Sequence, residues 1–412
     1  MSRSALVVVV ALLAPACTQS SVGDDIGDDG GGGGGGGGSG SVELTLSDLE
    51  PGWLVHTTRV SEASTTETTQ VSDGTSITLT GSATDVFVAT VTDGDGNLVA
   101  THSMQAPCTM GSAHQLHVPG DYATIQAAVD AASPGDTVKV GAGTYHESVV
   151  MRPGICLLGA GANKTILDAQ GQGINLIDLT NGAGTVVSGF QLRGVGGGDQ
   201  PQCNADIFNC SGDWYRAAIY VSLPGILDPA ASPPPIVTNN VFVDNDIALM
   251  LYFHGLGVIR NNVFVDNRHA LVANHFQDRS LVANNVFYGN TGTAIANQAA
   301  YLDIVDNIIA RSGIATRFEY IQTGWIHCNL FFENSVLIDE PYTDPPTRYT
   351  LGTDGNIEAD PHFVNPSTYD FHLGNGSPGH NHGCYETAAF EPDGSRFDIG
   401  AYGGPLAAAT SL

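Results

Sequence analysis

Basic residues are scarce. Lysine and arginine number 14 against 42 aspartates and glutamates, a formal net charge of −28 over 412 residues. Only Lys139 and Lys164 are lysines. That balance excludes a nucleic-acid-binding surface and electrostatic docking on anionic lipid, both of which need basic clusters. Charged residues of either sign make up only 14% of the chain while 42% is hydrophobic, so the chain is not disordered throughout. Long apolar runs are missing as well. The run from Ala5 to Leu13, ALVVVVALL, falls well short of the roughly 18 residues of a membrane-spanning helix. C-x-x-C is absent, which removes zinc ribbons and thioredoxin-type redox chemistry. H-E-x-x-H, a nucleophile elbow and a glycine-rich phosphate loop are absent too. GAGAN at 159–163 is read as a turn because no helix follows it.

What is present begins with an address. Arg3 is a small positive region, the apolar run follows, and Ala14-Pro15-Ala16 is an A-x-A cleavage site with Cys17 directly after it. Residues 1–16 are therefore expected to be a signal peptide. The arrangement resembles a bacterial lipoprotein signal, which implies lipid on Cys17 and an outer-membrane or cell-surface location. Leu13 stands one place too early for that pattern, and plain secretion is the alternative. Residues 17–40, with DDIGDDGGGGGGGGGSG from Asp24, cannot bury a core and read as a flexible tether. The membrane is then a partner through the anchor alone.

Besides Cys17, six cysteines remain: Cys108, Cys156, Cys203, Cys210, Cys328 and Cys384. An even number in an exported chain points to disulfides. Cys203 and Cys210 flank a short polar loop and are the favoured pair; the other connectivities stay open.

Residues 41–107 alternate apolar and polar positions, with a hairpin over DVFVATV, DGDGN and LVATHSM, and predict a small β-sandwich. Asp93-x-Asp95-x-Asn97 supplies only half of a calcium loop and is read as the hairpin turn. From 113 to 405 the sequence repeats. TNNVFVDN, RNNVFVDN and ANNVFYGN place the second asparagine at Asn240, Asn262 and Asn285, and weaker copies place Asn307 and Asn329, in steps of 22, 23, 22 and 22. A second polar column follows at Asn245, Asn267, Asn290, Ser312 and Asn334. Apolar columns run at Val237, Ile259, Val282, Ile304 and Ile326, and at Phe242, Phe264, Phe287, Ile309 and Phe331. Each unit holds strand-length runs and no helix, and it buries its apolar residues only by stacking on its neighbours. The fold class expected is all-β: a parallel solenoid of roughly ten coils, with asparagine ladders at its corners and phenylalanines in its core. Thr124–Ala132, TIQAAVDAA, is an amphipathic helix placed to cap the first coil.

SPGDTVKVGAGTYHESVVM (133–151) and ICLLGAGANKTILDA (155–169) resemble the opening of bacterial right-handed parallel β-helix proteins of the pectin-lyase-like superfamily. DPHFVNPSTYDFHLGNGSPGHNHG (360–383) and DIGAYGGP (398–405) resemble the closing segment of such proteins. Gly379-His380-Asn381-His382-Gly383 departs from the family pattern. The resemblance implies cleavage of acidic polysaccharide or binding of glycan. The arginine motif of many pectate lyases and the aspartate and histidine motifs of polygalacturonases are absent, and Trp325-Ile326-His327 lacks the aspartate of a lyase run.

The register supplies candidate sites. Asp244 and Asp266 share a column one coil apart, where two carboxylates repel unless a proton or cation intervenes; calcium is the possible cofactor, and no other is implied. Arg268 stacks on Asp246 as an ion pair. Counting outward from Leu249, Leu271, Ala294 and Thr316 reaches Tyr252 and His254, then Asn274 and His275, then Gln298, then Tyr320. Rings beside amides suit sugars, since a ring covers an apolar face and amides bond hydroxyls. These six are the expected ligand-binding residues. His275, Arg279 and Arg268 are weak candidates for a catalytic base. The leading expectation is a monomeric, exported protein that binds polysaccharide or matrix glycan; the alternatives are a polysaccharide lyase or glycosidase, and a purely structural surface protein. The insertion at 194–235 is expected to loop out between coils.

Overall fold

The computed structural model describes residues 114–196, 208, 216–222, 234–253, 257–274, 280–319, 326–341, 351–383 and 398–403 with their side chains, Arg279 as backbone, and the strands between residues 8 and 105 as backbone. The chain divides into two compact units, Met1–Thr109 and Met110–Leu412.

The first unit is antiparallel. Val8–Leu12, Ser41–Ser47 and Ile77–Ser82 make one sheet, and Thr65–Val71, Leu54–Val60, Val86–Thr92 and Leu98–Gln105 make another, as alternation predicts over 41–107. Val8–Leu12 lies within the expected signal peptide and pairs with Ser41–Ser47, which pairs on its other side with Ile77–Ser82.

The second unit is a parallel β-helix. Sheet I is nine-stranded and runs from Gln115–Val118 through Val186–Ser188, Ile236–Thr238 and Val258–Arg260 to Ile326–His327. Sheet II, also nine-stranded, runs from Gly143–Tyr145 through Val241–Val243, Val263–Val265 and Val286–Tyr288 to Ile357–Glu358. Sheet III has eight strands: Val149–Val150, Ile177–Asp178, Ile219–Val221, Ile247–Tyr252, His269–Asn274, Thr293–Gln298, Ile314–Glu319 and Val336–Asp339. One strand per sheet makes a coil, so the stack has eight complete coils rather than ten. The 194–235 segment does not loop out as a whole, because Ile219–Val221 within it is the sheet III strand of the third coil, and beyond Glu358 the chain turns back over sheet II.

Register explains the sequence columns. Val237 pairs with Ile259 and Val282 with Ile304 on sheet I, and Phe242 with Phe264 and Phe287 on sheet II. All of these side chains are buried. The rings of Phe242, Phe264 and Phe287 stack at 4.6 and 4.7 Å, tilted by only 6° and 5°. Isolated rings prefer offset or edge contacts; here the inter-strand spacing of about 4.8 Å imposes the face-to-face stack.

The asparagine columns are ladders at the two corners of sheet II. Each Nδ2 donates to the next Oδ1, from Asn240 to Asn262 (3.2 Å), Asn285 (3.1 Å), Asn307 (3.0 Å) and Asn329 (3.0 Å). The same Oδ1 atoms accept the backbone N–H of the preceding rung. Asn356 adds a further rung at 3.1 Å after a longer step of 27 residues. The second ladder runs Asn245–Asn267–Asn290. The left-handed backbone that asparagine tolerates is taken by the residue before each rung: Asn239, Asn261, Asn284, Asp306 and Cys328, and likewise Asp244 and Asp266.

Both ends of the stack are finished. Helix α1 (Ile125–Ala131) buries Ile125, Ala128 and Val129 on the first coil. Thr124 caps it, and the Glu147 carboxylate accepts the N–H groups of Ile125 and Gln126. At the other end a hairpin, Phe363–Asn365 with Asp370–Leu373, and residues 398–403 form a strap over sheet II. Phe371, Ile399 and Ala401 join the outward Val241, Val263, Val286 and Ile308 in a second apolar cluster. Asn261 donates to the carbonyls of Ala401 and Gly403, and Asn284 to that of Asp398. The HNHG departure has a reason here. His380 Nδ1 contacts Asp398 Oδ2 at 2.8 Å and the Asn381 N–H reaches Asp398 Oδ1 at 2.8 Å, which ties the two parts of the strap together.

Cys156 and Cys328 are disulfide-bonded. They stand on the second and eighth coils, too far apart to bond each other. Their partners, like Cys17 and the expected Cys203–Cys210 pair, lie outside the described residues.

Candidate functional site

Strand alternation sorts sheet III into two faces. Leu249, Leu271 and Ile295 point into the main core. Met250, Val272 and Ala296, with Ala217 and Ile247, form a separate cluster on the outer face, and Phe208 from the 194–235 insertion is seated on it. Phe208 is only 6% exposed. The insertion thus does place a residue against a coil, as a looping excursion on a rigid scaffold allows.

Beyond this apolar patch the outer face turns polar. Continuing the Met250 column, Ala296 pairs with Arg317 and Arg317 with Asp339. Arg317 Nη2 donates to Glu319 Oε1 at 2.7 Å, its Nε lies 3.6 Å from Asp339 Oδ2, and its guanidinium sits 5.5 Å from the Phe208 ring. Gln298 Nε2 donates to Glu319 Oε2 at 3.0 Å. His269 lies in the next column with Ile247 and Thr293. Burial, then the charges of Arg268 and Arg317, push its imidazole down to about 3, so it is neutral. Among the buried side-chain atoms here, His269 Nδ1 and Gln298 Oε1 make no hydrogen bond.

The expected groove is partly assembled. Tyr252, Asn274 and Gln298 are in register on consecutive strands, and the next residue in line is Glu319 rather than Tyr320. The column count assigned Ala294 where the structure aligns Ile295 with Leu271, because the coil carrying Gly292 is one residue longer. Asn274 and Gln298 are 1% and 8% exposed, so they form the floor and not the rim. Tyr252 is half-buried, 6.2 Å from the Tyr220 ring and 5.3 Å from that of Phe253, which is 50% exposed. Burial pushes the Tyr220 hydroxyl up to about 12. His254, His275 and Tyr320 lie outside the described residues, as does the side chain of Arg279, whose backbone is on sheet I.

Arg268 bonds Asp246 at 3.0 Å, the ion pair that the register predicts. Asp244 and Asp266 fall one coil apart beside the Val243–Val265 pair. Burial and then Asp244 raise the Asp266 carboxyl above its ordinary range, and burial, followed by the same two aspartates, raises the Tyr369 hydroxyl. Among the described residues no three of histidine, cysteine, aspartate and glutamate come together as a metal-binding group.

Sequence reasoning missed His269, Arg317, Asp339, Tyr220 and Phe208. The strand alternation outward from Leu249 leads to Met250, Val272, Ala296 and Arg317, and was the available signal; nothing in the sequence places Phe208.

A family model described as "Periplasmic copper-binding protein (NosD)" matches residues 162–353. Copper takes imidazole, thiolate or thioether donors brought together. Met250 is in an apolar cluster and His269 is alone, so the described residues do not fit a copper site. No curated protein sequence matches. Among solved structures, the chain is similar to the alginate lyase AlyGC of polysaccharide lyase family 6 (14% identity, TM-score 0.32, 57% of this chain and 42% of that one). It is also similar to the A-module of the Azotobacter vinelandii mannuronan C-5 epimerase AlgE6 (14%, 0.29, 57% and 94%). A third likeness is to the catalytic unit of a Streptomyces thermodiastaticus α-1,3-glucanase (14%, 0.32, 79% and 74%). This chain spans less than half the length of the lyase. The coil topology makes this chain a parallel β-helix, and its residues 162–353 are similar to the NosD family.

Proposed function

We propose that this is an exported protein that binds polysaccharide along the outer face of sheet III. The observation that carries the reading is the in-register row Tyr252, Asn274, Gln298 and Glu319 on four successive coils. Three steps of about 4.8 Å give a row of about 14 Å, the length of a few sugar units laid along the helix axis. Tyr220, Tyr252 and Phe253 supply rings at one end of that row, and amide and carboxylate groups supply hydrogen bonds along it. The outer face of sheet II is occupied by the strap and is not available. Export is supported by the leader at residues 1–16 and by the periplasmic description of the matching family. Lipid on Cys17 would hold the protein at a membrane; Cys17→Ser should then move it from the membrane fraction to the soluble one.

The experiment is binding of oligosaccharides by calorimetry, for wild type and for a Tyr252→Ala, Phe253→Ala double variant. The variant should bind at least tenfold more weakly at an unchanged thermal midpoint, since truncating stacked rings costs about 1–3 kcal/mol. Equal binding by the two proteins removes the site from sheet III. Unsaturated-product absorbance in the same mixtures would show a lyase instead, and neither binding nor cleavage would leave a structural protein.

A further inference from the structure

We propose that Cys328 and Cys384 form a disulfide that clamps the closing strap to the end of the stack. The strap is held at one corner, where the residue before each ladder asparagine has left-handed backbone: φ is 53° at Asn261, 51° at Asn284, 56° at Asp306 and 54° at Cys328. Three successive members of that column bind the strap. Asn261 donates to the carbonyls of Ala401 and Gly403, Asn284 donates to that of Asp398, and the Asp306 carbonyl accepts the Gly400 N–H at 2.9 Å. Cys328 is the next member. It is disulfide-bonded and 4% exposed, and its sulfur lies where a side chain on Gly355 would stand.

Chain reach selects the partner. The Asn381 N–H donates to Asp398 Oδ1 at 2.8 Å, and Asp398 is the residue that Asn284 holds. Cys328 stands two coils beyond Asn284 in the column, about 10 Å along the axis. The three residues from Asn381 to Cys384 span up to about 10 Å, and a disulfide bridges a further gap of about 4–7 Å between Cα atoms. Other cysteines do not fit. Cys156 lies on the third of the nine strands of sheet I, about 29 Å from the last. Cys108 is seven residues before Gln115 on the first strand, and about 24 Å of extended chain does not cover eight steps of about 4.8 Å. Cys203 and Cys210 flank Phe208, which is seated on the outer face of sheet III with the core between it and this corner. Closure is an oxidation: as the S–S bond forms, the two thiols lose two protons and two electrons to an exogenous disulfide, which leaves as two thiols. An exported chain meets such oxidants.

The test is peptide mapping of the full chain, purified without reductant and alkylated at its free thiols. Trypsin separates the two cysteines, because Arg348 lies between them and Arg317 and Arg396 bound their peptides. The expected product is peptide 318–348 joined to peptide 349–396 and parted by reduction. Peptide 318–348 alkylated, or joined to a peptide carrying Cys17, Cys108, Cys203 or Cys210, overturns the pairing. The clamp has its own readout. A Cys328→Ser, Cys384→Ser double variant should be cut within the strap roughly tenfold faster than wild type in limited proteolysis, with unchanged circular dichroism, because local opening is no longer held by a covalent tie. An unchanged rate in the folded variant overturns the clamp. If the variant does not fold, graded reduction of the wild type decides: strap cleavage should rise in step with loss of the joined peptide, and cleavage that does not follow that loss overturns the clamp.

Discussion

At the scale of single residues, the ladder asparagines carry more hydrogen bonds than any other side chains described. Asn285 accepts the N–H of Asn262 and its Nδ2, and donates to the carbonyls of Ile259 and Ala283 and to Asn307. All of these groups are buried. Asn285→Ala removes one side chain that five buried groups bond, so its cost should be set by the desolvated groups left short of a partner, about 3–5 kcal/mol, and not by a single bond. Urea unfolding would show it as a lower midpoint at unchanged slope. His269 makes a different prediction. Its folded value of about 3 lies below the ordinary imidazole value. The unfolded chain therefore binds the proton first, and the stability present above about pH 6.5 falls as pH drops toward 3, by up to about 1.4 kcal/mol per unit. In His269→Leu that part of the acid slope should vanish, while the slope due to carboxylates remains.

At the scale of elements, the corners and the core were legible in the sequence and the outer faces were not. Ladder and core positions recur every 22 or 23 residues because each must meet its own kind one coil away. Asn356 escaped notice because 27 residues separate it from Asn329. Outward positions answer to whatever covers them. The column Met250, Val272, Ala296, Arg317 shows no repeat because Phe208 covers its first half and solvent reaches its second. The closing segment could be named by resemblance, yet its role depends on contacts more than a hundred residues away in sequence, Asn261 with Ala401 among them. Gly400 tests that role. Its φ is +95°, and a Cβ there would lie 2.7 Å from Ile308 Cδ1. Gly400→Val should lift the strap from sheet II, lower the thermal midpoint and expose the 398–403 segment to limited proteolysis, with the coils intact by circular dichroism.

At the scale of the whole molecule, charge and architecture pull in opposite directions. The core and the ladders hold neighbouring coils together, and most of that stabilisation is blind to salt. A formal charge of −28 works against any compact arrangement. The described arginine pairs offset it only locally: Arg311 with Glu333 is exposed, and Arg193 with Asp168 and Arg268 with Asp246 are partly so. Exposed pairs of this kind contribute about 0–1 kcal/mol each. Repulsion among the surplus acids extends over the Debye length, which shrinks from about 30 Å at 0.01 M to about 8 Å at 0.15 M salt. Screening therefore weakens the repulsion more than it weakens the few close pairs. The thermal midpoint should rise with sodium chloride across that range, and rise further for Asp266→Asn, where the carboxylate is already held above its ordinary value beside Asp244. A midpoint that falls with salt would mean that the ion pairs outweigh the surplus charge. A rise produced only by calcium, and lost in Asp266→Asn, would instead place a bound cation between Asp244 and Asp266.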